Sequence, residues 1–407
     1  MPTSTRLMTL LISISCGVSV ANVYYAQPLL DALALDFGLS HAEVGMVMAA
    51  TQLGSALALL FVLPLGDLLD RRRLMLGQLG LLSCALLAIG FAAGAAPLLG
   101  GMLAVGLLGT AMTQGLIAYA AATAPPAERG RIVGSAQAGV LVGLLSARTV
   151  AGLLADLAGW RAVYWSSAAL SLLLGAVLWR VLPAPAGEPV RGAACAGMAR
   201  RYVQLLRSMP AMLRTDRTLQ VRGVIAMLMF GALSIFWTAL VLPLSAPPHA
   251  LSHTAIGAFG LVGVAGALAA ARTGAMADRG LGQRTSGAAL ALLVAAWLPL
   301  AYTGQSLWAL AGGVIMLDLA GQAIHVTNQS MIFSSHPQAH SRVVGCYMMF
   351  YAAGSGLGAL ASTRMYAAAG WLGVCALGAA VSLAALLFWA LTLRSGTIRQ
   401  TRPDVAG

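Results

Sequence analysis

LWALAGGVIMLDLAGQAIHVTNQSMI, residues 307–332, is an apolar run with a carboxylate near its middle. A helix needs about 20 predominantly apolar residues to cross a bilayer, and this run supplies them. Asp318, Gln322, His325 and Gln329 interrupt it. At 100° per residue they fall at about 0°, 40°, −20° and 20°, one polar stripe on one helix face. A carboxylate at bilayer depth costs at least ~2.5 kcal/mol, so it normally faces a cavity or a partner. The stripe predicts a membrane helix beside a polar space, in a protein that moves a solute.

The rest of the chain has the same character. Of 407 residues, 59% are hydrophobic and 9% are charged, against roughly 25% charged in soluble domains. Apolar stretches long enough to span predict twelve helices, at 7–29, 44–65, 74–94, 98–123, 132–156, 162–182, 221–243, 254–275, 286–303, 307–332, 343–367 and 371–393. The expected fold is therefore an all-α membrane protein with twelve transmembrane helices in two pseudo-symmetric six-helix bundles. Residues 1–182 form the first bundle and 221–393 the second. Between them, 183–220 is a Pro-, Gly- and Arg-rich cytoplasmic loop with a short surface helix, and 394–407 is a cytoplasmic tail. The first span follows Arg6 and runs directly into Tyr24, Tyr25 and Pro28 without a small-x-small cleavage site. It reads as an uncleaved span.

Charge sets the orientation. The net charge is +12, and all 24 basic residues are Arg. With both termini and the central loop on one side, that side holds every Arg except Arg148, Arg161 and Arg364. The positive-inside bias makes it cytoplasmic. The excess charge is topological, so no nucleic-acid partner is expected. The five Cys residues are scattered, with no CxxC or His/Cys cluster, which argues against disulfides and structural zinc. Asp67-x-x-Asp70 has no second Asp-rich motif to complete a Mg²⁺–diphosphate site. No GxxxxGK[ST] loop occurs, so ATP does not drive the protein. No metal, no cofactor and no enzymatic activity are expected.

The two halves echo each other. Arg131-Ile-Val-Gly134 returns as Arg342-Val-Val-Gly345, and Gly159-Trp160 as Gly370-Trp371, both at an offset of 211. Gly66-x-x-x-Asp70-Arg71 returns as Gly274-x-x-x-Asp278-Arg279 at an offset of 208. Such repeats mark transporters built from duplicated bundles.

Gly66-Asp67-Leu68-Leu69-Asp70-Arg71-Arg72-Arg73, between spans two and three, resembles the loop signature of the major facilitator superfamily. Its degenerate copy, Gly274 to Arg284, sits between spans eight and nine, where that family carries one. The resemblance covers essentially the whole chain and implies alternating access between two bundles. It also implies roles for the motif. Gly66 and Gly274 permit close helix approach, while Asp67, Asp70, Arg71, Arg73, Asp278 and Arg279 latch the halves at the cytoplasmic face.

The segment Asn22-Val-Tyr-Tyr-Ala-Gln-Pro-Leu-Leu30 looks like the drug and sugar-efflux proton antiporters. Two positions depart from that pattern. Val105 stands where such antiporters often carry a fourth-span Arg. In Gly143-Leu-Leu-Ser-Ala147-Arg148-Thr-Val-Ala151-Gly152, Ala147-Arg148 occupies the Gly-Pro place of the fifth-span signature. Arg148 lies mid-span on the face of Gln137, and it can supply the missing cation from a neighbouring helix. It either pairs with Asp318 or binds an anionic substrate group.

Asp318 is the candidate for proton coupling; structural neutralisation by Arg148 and direct substrate contact are the alternatives. His325, with an unperturbed pKa near 6.5, either shares that proton or packs as a hydrogen-bonded histidine. The resemblance places spans one, four, seven and ten around the central cavity. Asn22 and Tyr25 then become candidate solute contacts beside Ser15 and Ser19. Gln114, the repeat counterpart of His325, joins them beside Thr110, with Gln137, Gln322 and Gln329. Gly139, Gly143, Gly152, Gly354 and Gly358 read as packing positions.

The leading expectation is a monomeric, proton-coupled exporter of a small organic solute in a bacterial inner membrane. Proton-coupled uptake and a transport-fold solute sensor are the alternatives. Few charges line the expected cavity, which disfavours a highly charged substrate. Reporter fusions after Leu182 and Leu393 should both read as cytoplasmic, and one after Pro97 as periplasmic. A periplasmic signal at either of the first two would break the twelve-span reading.

Overall fold

Lipid offers no hydrogen-bond partner, so a spanning chain satisfies its peptide groups within helices. The computed structural model describes residues 3–125, 128–182, 193–264, 281–335 and 340–394, and among them every regular element is helical. In chain order these are α1 (Thr3–Tyr24), α2 (Leu30–Phe37), α3 (Gly45–Leu57), α4 (Arg71–Gly90), α5 (Ala95–Thr123), α6 (Arg129–Ala158) and α7 (Trp160–Val181). There follow α8 (Ala193–Thr215), α9 (Arg217–Ala239), α10 (Val241–Ser245) and α11 (His253–Val262). The last are α12 (Gly282–Ala295), α13 (Trp297–Ala301), α14 (Leu307–Ser335) and α15 (His340–Arg394).

Ten helical stretches among the described residues are long and apolar enough to cross a membrane. The last, Val343–Leu393, is double: Gly370 has φ 62° and ψ −160°, which breaks α15 between the expected eleventh and twelfth spans. Gly159, at φ 82°, makes the same break between α6 and α7. Only glycine adopts such a backbone freely, and in both cases a Trp follows. The expected eighth span begins as α11 and then passes outside the described residues. Within the central loop, α8 runs for 23 residues, longer than the short surface helix read from the sequence.

The chain forms two compact units, Met1–Met209 with Leu240–Leu261, and Pro210–Ala239 with Val262–Gly407. In the first, Ile12 and Cys16 of α1 meet Met75 and Leu79 of α4, Met112 and Leu116 of α5, Ala136 of α6 and Leu178 of α7. In the second, α9 is the central element: Ile225, Ala226, Met229, Ala232, Ile235 and Phe236 are all buried.

Lipid tails are as apolar as leucine, so burial alone does not pull these helices together. Close backbone contact at glycine does. A Cβ on Gly143 would strike the Gly17 carbonyl, and one on Gly139 the Ser13 carbonyl, so α1 and α6 touch through their backbones. In the second unit, Gly354 meets the Met227 carbonyl in the same way where α15 crosses α9. Gly354 is Gly143 displaced by the repeat offset of 211. The α3–α5 crossing is built from Gly54 against Leu103 and Gly106 against Thr51.

Gly106→Ala should therefore destabilise the protein by about 1–3 kcal/mol, because its methyl meets backbone that cannot rotate away. Gly80→Ala, with nothing within 4 Å of the new atom, should leave thermal unfolding unchanged or slightly improved. Equal melting temperatures for the two variants would refute the packing account.

Candidate functional site

The polar stripe read from the sequence lies on one face of α14. Leu317, Ala320, Ile324, Thr327 and Asn328 face the interior of the second unit and are fully or almost fully buried. Asp318, Gln322, His325 and Gln329 are all half-buried. The α-helical period puts this polar edge one residue away from the packed one. Trp237 of α9 donates its indole N–H to Asp318 Oδ1 at 3.3 Å.

His325 sits two turns further along, about 10.5 Å from Asp318 along the axis. A proton passing between them needs a relay. His325 Nδ1 lies 3.0 Å from the Tyr347 hydroxyl. Its ring stacks on Tyr347 with centroids 5.6 Å apart and meets the edge of Phe230 at 5.3 Å. Phe230 also packs edge-on against Tyr351 at 4.5 Å. The histidine is thus boxed by aromatic rings on one side and borders the stripe on the other.

Behind it lies a cation that sequence reasoning assigned to the cytoplasmic charge excess. Arg222 of α9 is completely buried. Its Nη1 donates to Ser286 Oγ at 2.8 Å and to Asn328 Oδ1 at 3.3 Å. The Asn328 amide returns a bond to the Arg222 carbonyl at 3.4 Å. Among the described residues, Arg222 Nε and Nη2 have no hydrogen-bond partner. Asn328 also hydrogen-bonds Tyr347, so neutral groups connect the guanidinium to His325. The available signal was its position inside the expected seventh span; its partners lie 64 and 106 residues away, beyond any local period.

In the first unit, several candidates hold the helices to one another. Asn22 and Tyr25 are buried, and both bond Ser167 of α7, whose hydroxyl donates to Asn22 Oδ1 at 2.6 Å. Arg148 is buried in α6. Its Nε donates to Gln27 Oε1 at 2.7 Å, and its guanidinium lies 5.6 Å from the Tyr24 ring centre. Gln114 is half-buried and Gln137 exposed. Val105, where the resemblance expects a cation, is fully buried.

The loop motif works locally through caps and carbonyls. Asp70 Oδ1 accepts from the Arg73 N–H at 2.8 Å and caps α4, a bond of a kind that contributes about 1 kcal/mol. Arg71 donates to the Gly66 carbonyl at 2.9 Å and the Ala118 carbonyl at 2.7 Å, clamping the loop to α5. Arg72 donates to the Trp179 carbonyl of α7, and Arg73 is exposed. The Asp67 side chain, Gly274, Asp278 and Arg279 lie outside the described residues.

Comparison with known proteins bears on the family and the fold. Residues 12–244 match the family described as the Major Facilitator Superfamily. The chain is 40% identical over 382 residues to the uncharacterized transporter YgaY of Escherichia coli O157:H7, across 94% of each chain. Among solved structures it is similar to a bacterial homolog of the human lysosomal transporter Spinster, in an inward-facing, unoccupied conformation. The TM-score is 0.78 at 15% identity, over 99% of this chain and 100% of that one. The nucleoside transporter NupG, solved as a mutant, gives a TM-score of 0.69 at 13% identity, over 94% and 99% of the two chains. Identities this low speak for the fold alone. The family match over more than half of the chain, joined to a near full-length relative, establishes that the chain belongs to the major facilitator superfamily.

Proposed function

We propose that this membrane transporter exports a small organic solute by alternating access, coupled to protons, in the manner of the drug and sugar-efflux antiporters. Asp318 carries the coupling proton. One observation supports this most: Asp318, Gln322, His325 and Gln329 share the half-buried edge of α14, and the fully buried edge takes the packing. A carboxyl with no coupling role would be expected to sit among its structural partners on the packed edge. The indole N–H of Trp237 suits the ionised acid, which only accepts hydrogen bonds. The protonated acid becomes a donor and needs an acceptor, which the Gln322 amide oxygen offers one turn away.

His325, bonded to Tyr347, tunes the environment of that proton. Gln322 and Gln329 on that edge, and Asn22, Tyr25, Gln114, Gln137 and Arg148 on the helices of the first unit, are our candidate solute contacts. The motif from Gly66 to Arg73, with its copy at Gly274, Asp278 and Arg279, governs the conformational cycle at the cytoplasmic face. The protein works as a monomer in a bacterial inner membrane, with both termini in the cytoplasm.

Asp318→Asn tests the reading, because Asn keeps an acceptor for Trp237 and cannot release a proton. In liposomes it should abolish transport driven by a pH gradient while leaving energy-independent solute exchange largely intact. His325→Gln should shift the pH optimum more than it lowers the maximal rate. Normal uphill transport by Asp318→Asn would make Asp318 structural and move the proton path elsewhere.

A further inference from the structure

At the far end of the first unit from Arg129, three ionisable side chains from distant parts of the chain meet. Asp156, in the last turn of α6, turns its carboxylate onto the start of α11. Oδ1 accepts from the His253 N–H at 3.1 Å, and Oδ2 accepts from the Thr254 N–H at 2.8 Å and the Thr254 hydroxyl at 2.6 Å. The His253 ring then spans two carboxylates. Nδ1 is 3.0 Å from Asp156 Oδ1, and Nε2 is 3.1 Å from Asp31 Oδ1 on α2. A neutral imidazole has one N–H and one lone pair, whereas ionised carboxylates only accept. Both contacts are satisfied together when the ring carries two protons.

The segment held here is unusual in its connectivity. Leu240–Leu261 follows α9 in the second sequence half, yet it packs within the first unit. Glycines allow the approach. A Cβ on Gly152 would strike the His253 carbonyl, and one on Gly257 the Arg148 carbonyl, so α6 and α11 touch through their backbones.

We propose that Asp31, His253 and Asp156 form a second proton-binding site, on the non-cytoplasmic face, whose occupancy locks α11 against the first bundle. The ligand is the proton itself. The face follows from the expected topology, in which the ends of α2 and α6 and the start of α11 lie opposite the termini. About a quarter of each side chain is exposed, so protons reach the site from the solvent.

Asp31 beside Nε2 raises the pKa of His253 above its ordinary value; burial opposes this, and Asp156 adds to the rise. A raised His pKa gives stability that is full below the ordinary pKa and is lost as pH climbs through the raised one. The other charged groups nearby are mostly engaged. On α2, Asp36 pairs with Arg161 at 2.6 Å and accepts from Trp160. On α6, Arg148 is bonded to Gln27. Neither α10 nor the rest of α11 carries a charge, and His249 lies in the loop between them.

The consequence for transport rests on the alternating-access reading above. To open the non-cytoplasmic side, α11 must leave the first bundle. Loss of one proton sets a ring lone pair against a carboxylate and releases it. Protonation from outside therefore favours the closed state.

Hydrogen exchange on the purified full chain in nanodiscs tests the site without any transport assay. Between about pH 6 and about pH 9, after correction for intrinsic rates, amides of 253–262 in the wild type should lose about tenfold protection. In His253→Gln, which cannot take the second proton, protection should be equal at both pH values. Asp31→Asn leaves the Asp156 contacts in place, so the transition should persist but move to lower pH. Protection independent of pH in the wild type would overturn the proposal. So would a wild-type transition in His253→Gln, or an unmoved midpoint in Asp31→Asn. Normal uphill transport by Asp318→Asn with this transition intact would sink the coupling reading and leave the site standing.

Discussion

Backbone-to-backbone contact at glycine is the constraint on which this structure depends. In lipid the hydrophobic effect does not favour one helix pairing over another, so specificity falls to shape and hydrogen bonds. Gly17, Gly139 and Gly143 bring α1 onto α6, and Gly354 and Gly358 bring α15 onto α9. Once those axes nearly touch, small polar groups can bridge them. Ser13 donates to the Ser135 carbonyl at 2.7 Å, and Ser234 to the Ser355 carbonyl at 2.7 Å. Each unit is thus seamed by the same device, with dispersion and a short hydrogen bond replacing the burial that would serve in water.

Polar side chains divide by what surrounds them. Thr51, Ser83 and Thr113 bond the carbonyl four residues back and remain within their own helices. Asn22, Ser167 and Arg148 tie different helices of the first unit together. The stripe on α14 combines interhelical bonds with exposure: Asp318 and His325 bond Trp237 and Tyr347 of other helices, yet all four members share an edge that packing leaves half open. Arg222 is the extreme case. A guanidinium cannot discharge by losing a proton, and this one is held by Ser286 and Asn328. Its charge is a permanent part of the field around Tyr347 and His325.

The helical architecture was legible because hydropathy length and Arg placement are local properties, summed over windows. The stripe was equally legible, since 318, 322, 325 and 329 share a face by period alone. The breaks at Gly159 and Gly370 were visible as repeated Gly-Trp pairs, although their left-handed backbone was not. What sequence could not supply was pairing over distance. Nothing local links Arg222 to Ser286, His325 to Tyr347, or Asp31 to His253. Gln27 was read only as part of a resemblance segment, yet it accepts the buried Arg148. The loop motif shows the converse limit. Its charged residues suggested latches, and the described bonds of Asp70 and Arg71 run to backbone N–H and carbonyl groups nearby.

Gly159 and Gly370 carry one more implication, for ancestry. A residue with a Cβ is strained by roughly 1–3 kcal/mol at positive φ with ψ near 180°, so drift is resisted at these two points more than at most others. Beside these corners, the echo between the halves rests on short motifs such as Arg131–Gly134 with Arg342–Gly345. The corners where the backbone admits a single residue type would then be the last traces of a duplication to fade, and both stand here, 211 residues apart, each followed by tryptophan.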